Sequence, residues 1–250
     1  MNTQEEWDYV IIGAGSAGCV LANRLSEDPS RRVLLIEAGA WDKSPLIHIP
    51  LGWGYLLKKR KYDWHYFSEP DPSLNGRAVE CSRGKVVGGS SSINAMTYIR
   101  GNRADFDRWQ SVYGLDGWGY SDVLPLFIRQ ETWAGPSNAY RGKTGPLHVQ
   151  YSSYQDELVD AYLNSAIACG HPFNEDLNGA NQLGFGRTQV TIRNGKRCSN
   201  ATAFLKPVLN RKNLTVITHA HVRRLILSGE RVAEVEYIRQ GTLQKIRVNR

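Results

Sequence analysis

The sequence has no apolar run near the roughly 18 residues that a membrane-spanning helix requires. Its amino terminus, MNTQEEWDYVIIG, lacks the basic start and apolar core of a secretory signal. We therefore expect a cytoplasmic protein, with peripheral attachment to a membrane surface left open. The cysteines are few, and without a CxxC pair they predict neither a zinc site nor a redox disulfide. We expect reduced thiols that fill small apolar spaces at Cys19, Cys81, Cys169 and Cys198.

The composition is that of an ordinary soluble globular protein, since 41% of the 250 residues are hydrophobic and 22% are charged. The length suits one large domain or two smaller ones. The net charge is +7, but only KKRK at residues 58–61 forms a dense basic run. We therefore predict no nucleic acid partner. An anionic cofactor and a missing acidic region of the protein explain the charge at least as well.

The first forty residues contain a complete strand–turn–helix–strand pattern. The run YVII at residues 9–12 is short, apolar and β-branched, which is typical of a strand buried in a parallel sheet. GAGSAG follows at residues 13–18, and apolar residues then recur at helical spacing as far as Leu25. RVLLI at residues 32–36 is a second buried strand, and it ends at Glu37. This context makes the GxGxxG motif a candidate dinucleotide-binding turn.

Each part of this motif has a physical role in holding a dinucleotide. Gly13 allows the tight turn, Gly15 leaves room for a pyrophosphate, and Gly18 allows the helix to pack closely on the strand. The helix start offers free N–H groups and partial positive charge to the pyrophosphate. Glu37 can accept hydrogen bonds from the ribose hydroxyls, and its charge disfavours a 2′-phosphate. The motif predicts NAD or FAD and does not choose between them.

The rest of the chain divides into segments of different character. Residues 41–83 are rich in Trp, Tyr, Pro and Gly, and we expect a long functional excursion rather than core structure. Helical spacing predicts two helices within residues 104–131, interrupted at GLDGWGYS, and one within 155–170, whereas residues 172–196 resemble a loop. Three strands are predicted near the end, at residues 214–218, 222–227 and 233–238. SGER predicts a hairpin turn between the last two. The last strand alternates apolar residues with glutamates.

A second glycine-rich stretch, GKVVGGSSSINAMTYIRGNRADFD, occupies residues 84–107. It resembles the first signature of the glucose–methanol–choline (GMC) oxidoreductases, which are FAD enzymes. The matching features are the glycine pair at residues 88–89, the serines that follow, Asn94, Gly101 and Asp107. The resemblance extends over nearly the whole chain and is closest to the choline and other alcohol dehydrogenases. Further similar segments are DYVIIGAGSAGCVLANRLSE, LLIEAG, DWHYFSEPDP, GKTGPLHV, DLNGANQLGFG, GKRCSNATAFLKP and NLTVITHAHVRRL.

The resemblance implies an α/β fold with a Rossmann-like FAD-binding domain, inserted parts of a substrate domain, and an incomplete carboxyl end. The FAD-binding domain would be discontinuous and would combine residues 1–45, 84–110 and 210–250. Residues 46–83 and 111–209 would supply lid and substrate-domain segments.

The resemblance also implies which residues hold the cofactor. Bare backbone at Gly88 and Gly89 would let the chain lie against the flat flavin ring, and Val222 would bond adenine through its backbone. FAD would be held non-covalently, because Ile93 occupies the position where some relatives tether it through a histidine. The expected cofactor-binding residues are Gly13, Ala14, Gly15, Ser16, Ala17, Gly18, Glu37, Ala38, Val87, Gly88, Gly89, Ser90, Asn94, Ala95, Met96, Thr97 and Val222.

The activity implied by the resemblance is oxidation of a primary alcohol to an aldehyde, with hydride transfer to flavin N5. The family's catalytic histidine lies beyond residue 250, and none of the six histidines here matches its motif. We therefore expect no catalytic residue in this chain and no activity from it alone. Its partners would be a small alcohol, an unidentified electron acceptor and the missing carboxyl-terminal half. Alternatives are an FAD-binding lyase or decarboxylase of the same superfamily, an NAD-dependent dehydrogenase, and a nucleotide-binding module without chemistry.

Overall fold

The computed structural model describes residues 6–249. Packing divides the chain into two compact units: the first joins the residues up to Ala95 with those from Lys196 onward, and the second is Met96–Gly195. Residues 46–83 thus pack within the first unit, and residues 96–110 belong to the second. The boundaries of these units differ from the domain boundaries expected from the sequence. The expected boundaries describe function and stay a prediction.

The first unit begins with the strand–turn–helix–strand pattern that the sequence predicts. Its strands and α-helices up to Ala95 are β1 (Glu6–Trp7), β2 (Tyr9–Ile12), α1 (Ser16–Leu25), β3 (Val33–Ile36), α2 (Pro45–His48), α3 (Gly52–Lys59), β4 (Tyr66–Phe67) and β5 (Glu80–Cys81), and two short 3-10 helices span Pro72–Leu74 and Gly89–Ser92. All four residues of β3 are buried, which is why VLLI has the sequence pattern of a strand covered on both faces.

Residues 41–83 contain core structure, and the expectation that this segment contributes no core element is wrong. Helix α3 buries Leu56, which forms one apolar cluster with Ile47 of α2 and with Val86. Trp53 and Tyr55, the two aromatic residues of the same helix, stay more exposed. The helix was missed because these exposed aromatics mask the apolar periodicity of its buried side.

The second unit contains the three predicted helices and a small sheet. Its elements are α4 (Arg103–Tyr113), α5 (Tyr120–Gln130), β6 (Glu131–Trp133), β7 (Leu147–Tyr151), α6 (Glu157–Ala168), β8 (Gln189–Val190) and β9 (Ile192–Arg193). Helix α4 ends at Gly114, whose φ of 66° suits glycine. Strand β7 pairs with β6 in parallel and with β8 antiparallel. The two-residue strands β8 and β9 lie in the predicted loop and are too short to show an alternating pattern.

A cluster of opposite charges is buried inside the second unit. Glu131 is fully buried and accepts a hydrogen bond from Arg141, with 2.8 Å between Nε and Oε1. Arg100 Nη2 lies 2.7 Å from the same oxygen. Arg141 also pairs with Asp176 and stacks over Trp133, with its guanidinium carbon 3.9 Å from the ring centre. Two cations therefore face two carboxylates, and the charges of the cluster balance.

The carboxyl-terminal part of the first unit completes two sheets. Its strands are β10 (Lys196–Arg197), β11 (Leu214–Ile217), β12 (Ala220–Ser228), β13 (Arg231–Arg239) and β14 (Thr242–Val248). A parallel sheet has the order β11-β3-β2, and Leu214 and Tyr9 both pair with Val33. A second sheet has the order β1-β14-β13-β12. Leu34 and Ile36 of β3 form one core cluster with residues of the second sheet.

Strand β14 is an element that the sequence analysis missed. Ile246 is its one buried residue, so no apolar alternation marks it. The strand is held by backbone pairing, antiparallel with β13 and parallel with β1. The predicted hairpin turn before β13 is confirmed, since Ser228 pairs with Arg231 and Gly229 adopts a φ of 61°.

One cysteine departs from the expectation. Cys19 and Cys198 are buried, as small apolar fillers are, but Cys169 is exposed. Glu236 of β13 is buried and forms an ion pair with Arg224. No disulfide joins the cysteines within residues 6–249. The same residues include no helix with the length and apolarity to cross a membrane, and no metal-ligand cluster.

Candidate cofactor site

The turn between β2 and α1 is held by close backbone contacts. Gly13 has a φ of 92°, in the left-handed region, and its N–H donates to Ile36 O at 2.7 Å. A Cβ at Gly18 would lie 1.9 Å from Gly13 O, so a side chain there would force the helix away from the turn. A Cβ at Gly15 would meet nothing within 4 Å. The open space at Gly15 is where the motif predicts the close approach of a ligand.

Helix α1 begins without a side-chain cap. Gly15 is its N-cap residue, and no acidic side chain lies in its first turn. The N–H groups of Ser16, Ala17 and Gly18 have no acceptor within the helix, because its ladder begins with Cys19 N–H donating to Gly15 O at 3.0 Å. The helix start therefore keeps its partial positive charge, as an anion-binding terminus requires.

Glu37 is buried at the end of β3, and backbone donors hold both of its oxygens. Oε2 accepts from Ala14 N–H and Oε1 accepts from Gly39 N–H, each at 2.8 Å. Burial raises the pKa of this carboxyl, although the two N–H groups and the charge of Lys85 act in the opposite direction. The sequence predicts a ribose acceptor here. The structure shows that Glu37 also ties β3 to the glycine turn, and each oxygen keeps a lone pair for a further donor.

The second glycine stretch packs directly on the first. Gly88 N–H donates to Ala14 O at 2.7 Å, and a Cβ at Gly89 would lie 2.7 Å from Gly15 Cα. Gly88 and Gly89 have positive φ values of 92° and 55°. The contact between the two stretches therefore requires bare backbone at Gly89. The sequence resemblance assigns this glycine pair to contact with a flavin ring and gives no sign of its contact with the first turn.

A cavity of about 300 Å³ lies where the two stretches meet, a volume within the range of small-molecule sites. Six of the predicted site residues line it: Gly13, Gly15, Glu37, Ala38, Gly89 and Val222. The rest of the wall consists of residues that the sequence analysis did not select: Ile12, Ile36, Trp64, Gly84, Ala220 and His221. The structure thus brings the turn, the acidic strand end and the predicted adenine-contacting residue to one cavity.

Trp64 and His221 are the two aromatic residues of this wall. Their ring centres are 5.3 Å apart, and Lys85 Nζ lies 4.5 Å from the centre of the Trp64 ring. From the sequence, His221 is interpreted as a structural or surface residue and Trp64 as part of an excursion. The segments DWHYF and HAHV carry both residues and resemble the family. No local pattern shows that segments so far apart in the chain meet at one cavity.

The other predicted site residues do not line the cavity. Four are buried in the first unit: Ala14, Gly18, Val87 and Gly88. Five in that unit are exposed: Ser16, Ala17, Ser90, Asn94 and Ala95. Met96 and Thr97 belong to the second unit, where Met96 is buried with a φ of 63° and Thr97 bridges to Val190. A cofactor role for all of these residues stays a prediction.

Comparison with known proteins points to one family. The model of the GMC oxidoreductases matches residues 7–250. The oxygen-dependent choline dehydrogenase of Rhizobium etli is 44% identical over 243 residues, which cover 97% of this chain and 44% of that protein. The mitochondrial choline dehydrogenase of Mus musculus is 44% identical over 254 residues, which cover 99% of this chain and 42% of that protein. The chain spans less than half the length of these relatives.

Solved structures agree with the fold. Pyridoxine 4-oxidase from Mesorbium loti has a TM-score of 0.92 and 38% identity, covering 97% of this chain and 48% of that chain. Formate oxidase from Aspergillus oryzae RIB40, in a structure that concerns modification of its FAD, has a TM-score of 0.85 and 28% identity. That comparison covers 99% of this chain and 45% of the oxidase chain. The predicted α/β fold and the predicted family are both confirmed.

Proposed function

The chain belongs to the GMC oxidoreductase family, and on that premise we propose that it is the FAD-binding half of an enzyme that oxidises a primary alcohol to an aldehyde. The observation that carries the proposal is the junction of the two glycine stretches, where Gly89 packs on Gly15 beside Glu37 and a cavity opens. Choline is the first substrate to test, because two of the most similar relatives are named as choline dehydrogenases.

The residues of the cavity fit a dinucleotide. The uncapped start of α1 suits the negative charges of a pyrophosphate, and the open space at Gly15 lets that group reach the backbone. Glu37 has lone pairs to accept hydrogen bonds from ribose hydroxyls. Its charge disfavours a ribose that carries a 2′-phosphate.

The chemistry divides between cofactor and protein. When bound, FAD supplies the acceptor, flavin N5, for the hydride that leaves the alcohol carbon. The residues of this chain bind the pyrophosphate and the ribose and orient the cofactor. Removal of the hydroxyl proton needs a positioned base, which typically contributes about 10²–10⁴-fold to the rate. In this proposal a histidine beyond residue 250 is that base, so residues 1–250 alone do not oxidise alcohols.

The cofactor in this proposal is held without a covalent bond. Ile93 stands where some relatives carry a tethering histidine, and an isoleucine side chain offers no nucleophile. Acid precipitation of the full-length protein should therefore release FAD into the supernatant. Flavin that stays with the precipitated protein would contradict non-covalent binding while leaving the assignment of FAD intact.

The activity is tested on the full-length protein. We expect a yellow protein with flavin absorption that reduces an artificial dye when choline or another primary alcohol is added, with the aldehyde as product. Residues 1–250, expressed alone and supplied with FAD, should show no turnover. A colourless full-length protein that binds NAD would contradict the proposal. Turnover by the fragment would mean that one of its own histidines is the base.

A further inference from the structure

Arg197, in β10, is a buried cation that joins three separate segments of the first unit. The residue is 2% exposed. Nε donates to Ile47 O at 2.7 Å, and Nη1 donates to Ser91 O at 3.2 Å and to Asn94 Oδ1 at 2.8 Å. The guanidinium therefore fixes the chain that follows the glycine pair of the second stretch.

The charge of Arg197 is not neutralised within the part of the chain that the structure describes. All three acceptors are uncharged oxygens, and no carboxylate of residues 6–249 forms an ion pair with it. Its Nη2 is buried and has no hydrogen-bond partner in these residues. Burial lowers the pKa of Arg197 to about 10, which leaves it charged at neutral pH. A buried charge without compensation is costly, so a compensating anion is expected.

Hydrogen bonds connect Arg197 to residues that adjoin, in the chain, those that line the cavity. Ser91, whose carbonyl Arg197 holds, donates from Oγ to Gly88 O at 2.6 Å. Gly88 in turn donates its N–H to Ala14 O. On the other side, Asn200 donates its N–H to Ser91 Oγ at 3.0 Å and its Nδ2 to Ser16 O at the start of α1. The cation is thus linked to the turn and to the helix start where a pyrophosphate is expected.

We propose that Arg197 is a positioning residue for the dinucleotide, and that the negative charges of the pyrophosphate compensate its buried charge. The proposal rests on the proposed function, because it requires that the cavity binds FAD. It makes binding of phosphate groups and burial of Arg197 interdependent: the cation favours the bound anion, and the bound anion stabilises a fold that contains the cation.

The test measures nucleotide affinity in the full-length protein stripped of FAD. Three ligands are compared for the wild type, Arg197→Met and Arg197→Lys: FAD and ADP, which carry a pyrophosphate, and adenosine, which does not. In Arg197→Met we expect binding of FAD and ADP to weaken by about tenfold, within the usual range of coupling between two sites, and adenosine binding to be unchanged. Arg197→Lys keeps the charge and should recover most of the affinity.

A second readout is the melting temperature without and with FAD. Ligand binding raises it by an amount that depends on ligand concentration over Kd. Arg197→Met removes an uncompensated charge and also the donor of three hydrogen bonds, so the diagnostic quantity is the increase in melting temperature caused by FAD, which should become smaller. If Arg197→Met does not fold, Arg197→Gln replaces it, because glutamine keeps donors for the same carbonyl groups.

Arg211→Met is the matched control. Arg211 is also in the first unit and donates to uncharged oxygens, Asn23 O and Ser26 Oγ, at the opposite end of α1. It should leave binding of FAD and ADP unchanged, and an equal loss in this variant would overturn the proposal.

Three other results overturn the proposal. The first is unchanged affinity for FAD and ADP in Arg197→Met with a lower melting temperature of the FAD-free protein, as for a structural clamp or a charge compensated by another part of the protein. The second is an equal loss for adenosine, and the third is a loss in Arg197→Lys as large as in Arg197→Met. A wild-type protein that binds neither FAD nor ADP instead contradicts the proposed function.

Discussion

The two compact units bury arginine in opposite ways. In the second unit, Arg100 and Arg141 face Glu131 and Asp176, so the buried charges are balanced by neighbours in the same unit. In the first unit, Arg197 is equally buried but donates only to uncharged oxygens.

We call a buried charge cluster closed where its charges balance within one unit, as around Glu131, and open where they do not, as at Arg197. A closed cluster costs desolvation, which ion pairs and hydrogen bonds within the same unit offset. An open one needs a partner from elsewhere, and the unit that contains it also contains the cavity, the uncapped helix start and the raised carboxyl pKa of Glu37. The unbalanced charge of Arg197 thus lies in the unit that also contains the candidate binding site.

The largest expected effect comes from opening the closed cluster. Glu131→Ala leaves two buried arginines with one carboxylate, and we expect the free energy of unfolding to fall by about 3–5 kcal/mol. Denaturant unfolding of the full-length protein measures it. Asp116→Ala, at an exposed position of the same unit, is the control and should change stability by no more than about 0.5 kcal/mol. A loss of stability as small as that of the control would contradict the claim that Glu131 balances the buried arginines of the second unit.

The next effect concerns the open site. In Gly15→Val the new Cβ meets no protein atom within 4 Å, and the backbone φ of −75° is one that valine accepts. The fold should persist, while affinity for FAD should fall about 10- to 100-fold, as expected for the roughly 1–3 kcal/mol typical of overpacking. Gly54→Val also points its side chain into open space but lies outside the cavity wall, and it should bind FAD normally. Normal flavin occupancy in Gly15→Val would show that the turn does not hold the phosphates.

Glu37 should give a smaller, pH-dependent effect. The pKa of Glu37 in the folded protein is raised above the ordinary value of 4.5, so the carboxyl is deprotonated at a lower pH in the unfolded chain than in the folded protein. The free energy of unfolding therefore falls as pH rises above 4.5. Glu37→Gln removes this contribution, which amounts to about 1.4 kcal/mol for each pH unit that separates the folded from the unfolded pKa. The stability of Glu37→Gln relative to wild type should therefore improve as pH rises from about 4 to about 7, measured by denaturant unfolding without FAD. A constant difference over that range would contradict the raised pKa.

Asp176 should show the smallest effect and the opposite sign. Burial opposes its ionisation, but hydrogen bonds from Gln189 and the charge of Arg141 outweigh burial and hold its pKa below 3.8. Its contribution to stability is present above pH 3.8 and is lost as pH falls through the folded pKa. Asp176→Asn should be destabilised at neutral pH, with a difference from wild type that shrinks as pH falls below about 4. The same sign of pH dependence in both carboxyl variants would remove the contrast between the units.

Much of the fold could be predicted because its information is local. Residues close together in the chain determine the buried run of β3 and the turn at Gly229. They also determine the helical spacing of α1, α4, α5 and α6. Strand β14 could not be predicted in this way, because its pairing with β13 and β1 uses backbone groups that every sequence has. Helix α3 was missed since exposed aromatics obscure its buried side.

The candidate site divides in the same way. The sequence by itself determined the first turn, since Gly13 needs a positive φ and Gly18 has no room for a Cβ, and it determined the position of Glu37 at the end of the next strand. Tertiary structure alone decided that Gly89 packs on Gly15, that Trp64 and His221 share the cavity wall, and that Arg197 is buried against segments far away in the chain. Spacing within a motif reflects steric limits that act over a few residues. Contacts between distant segments depend on how the strands are ordered and packed, which no short pattern encodes.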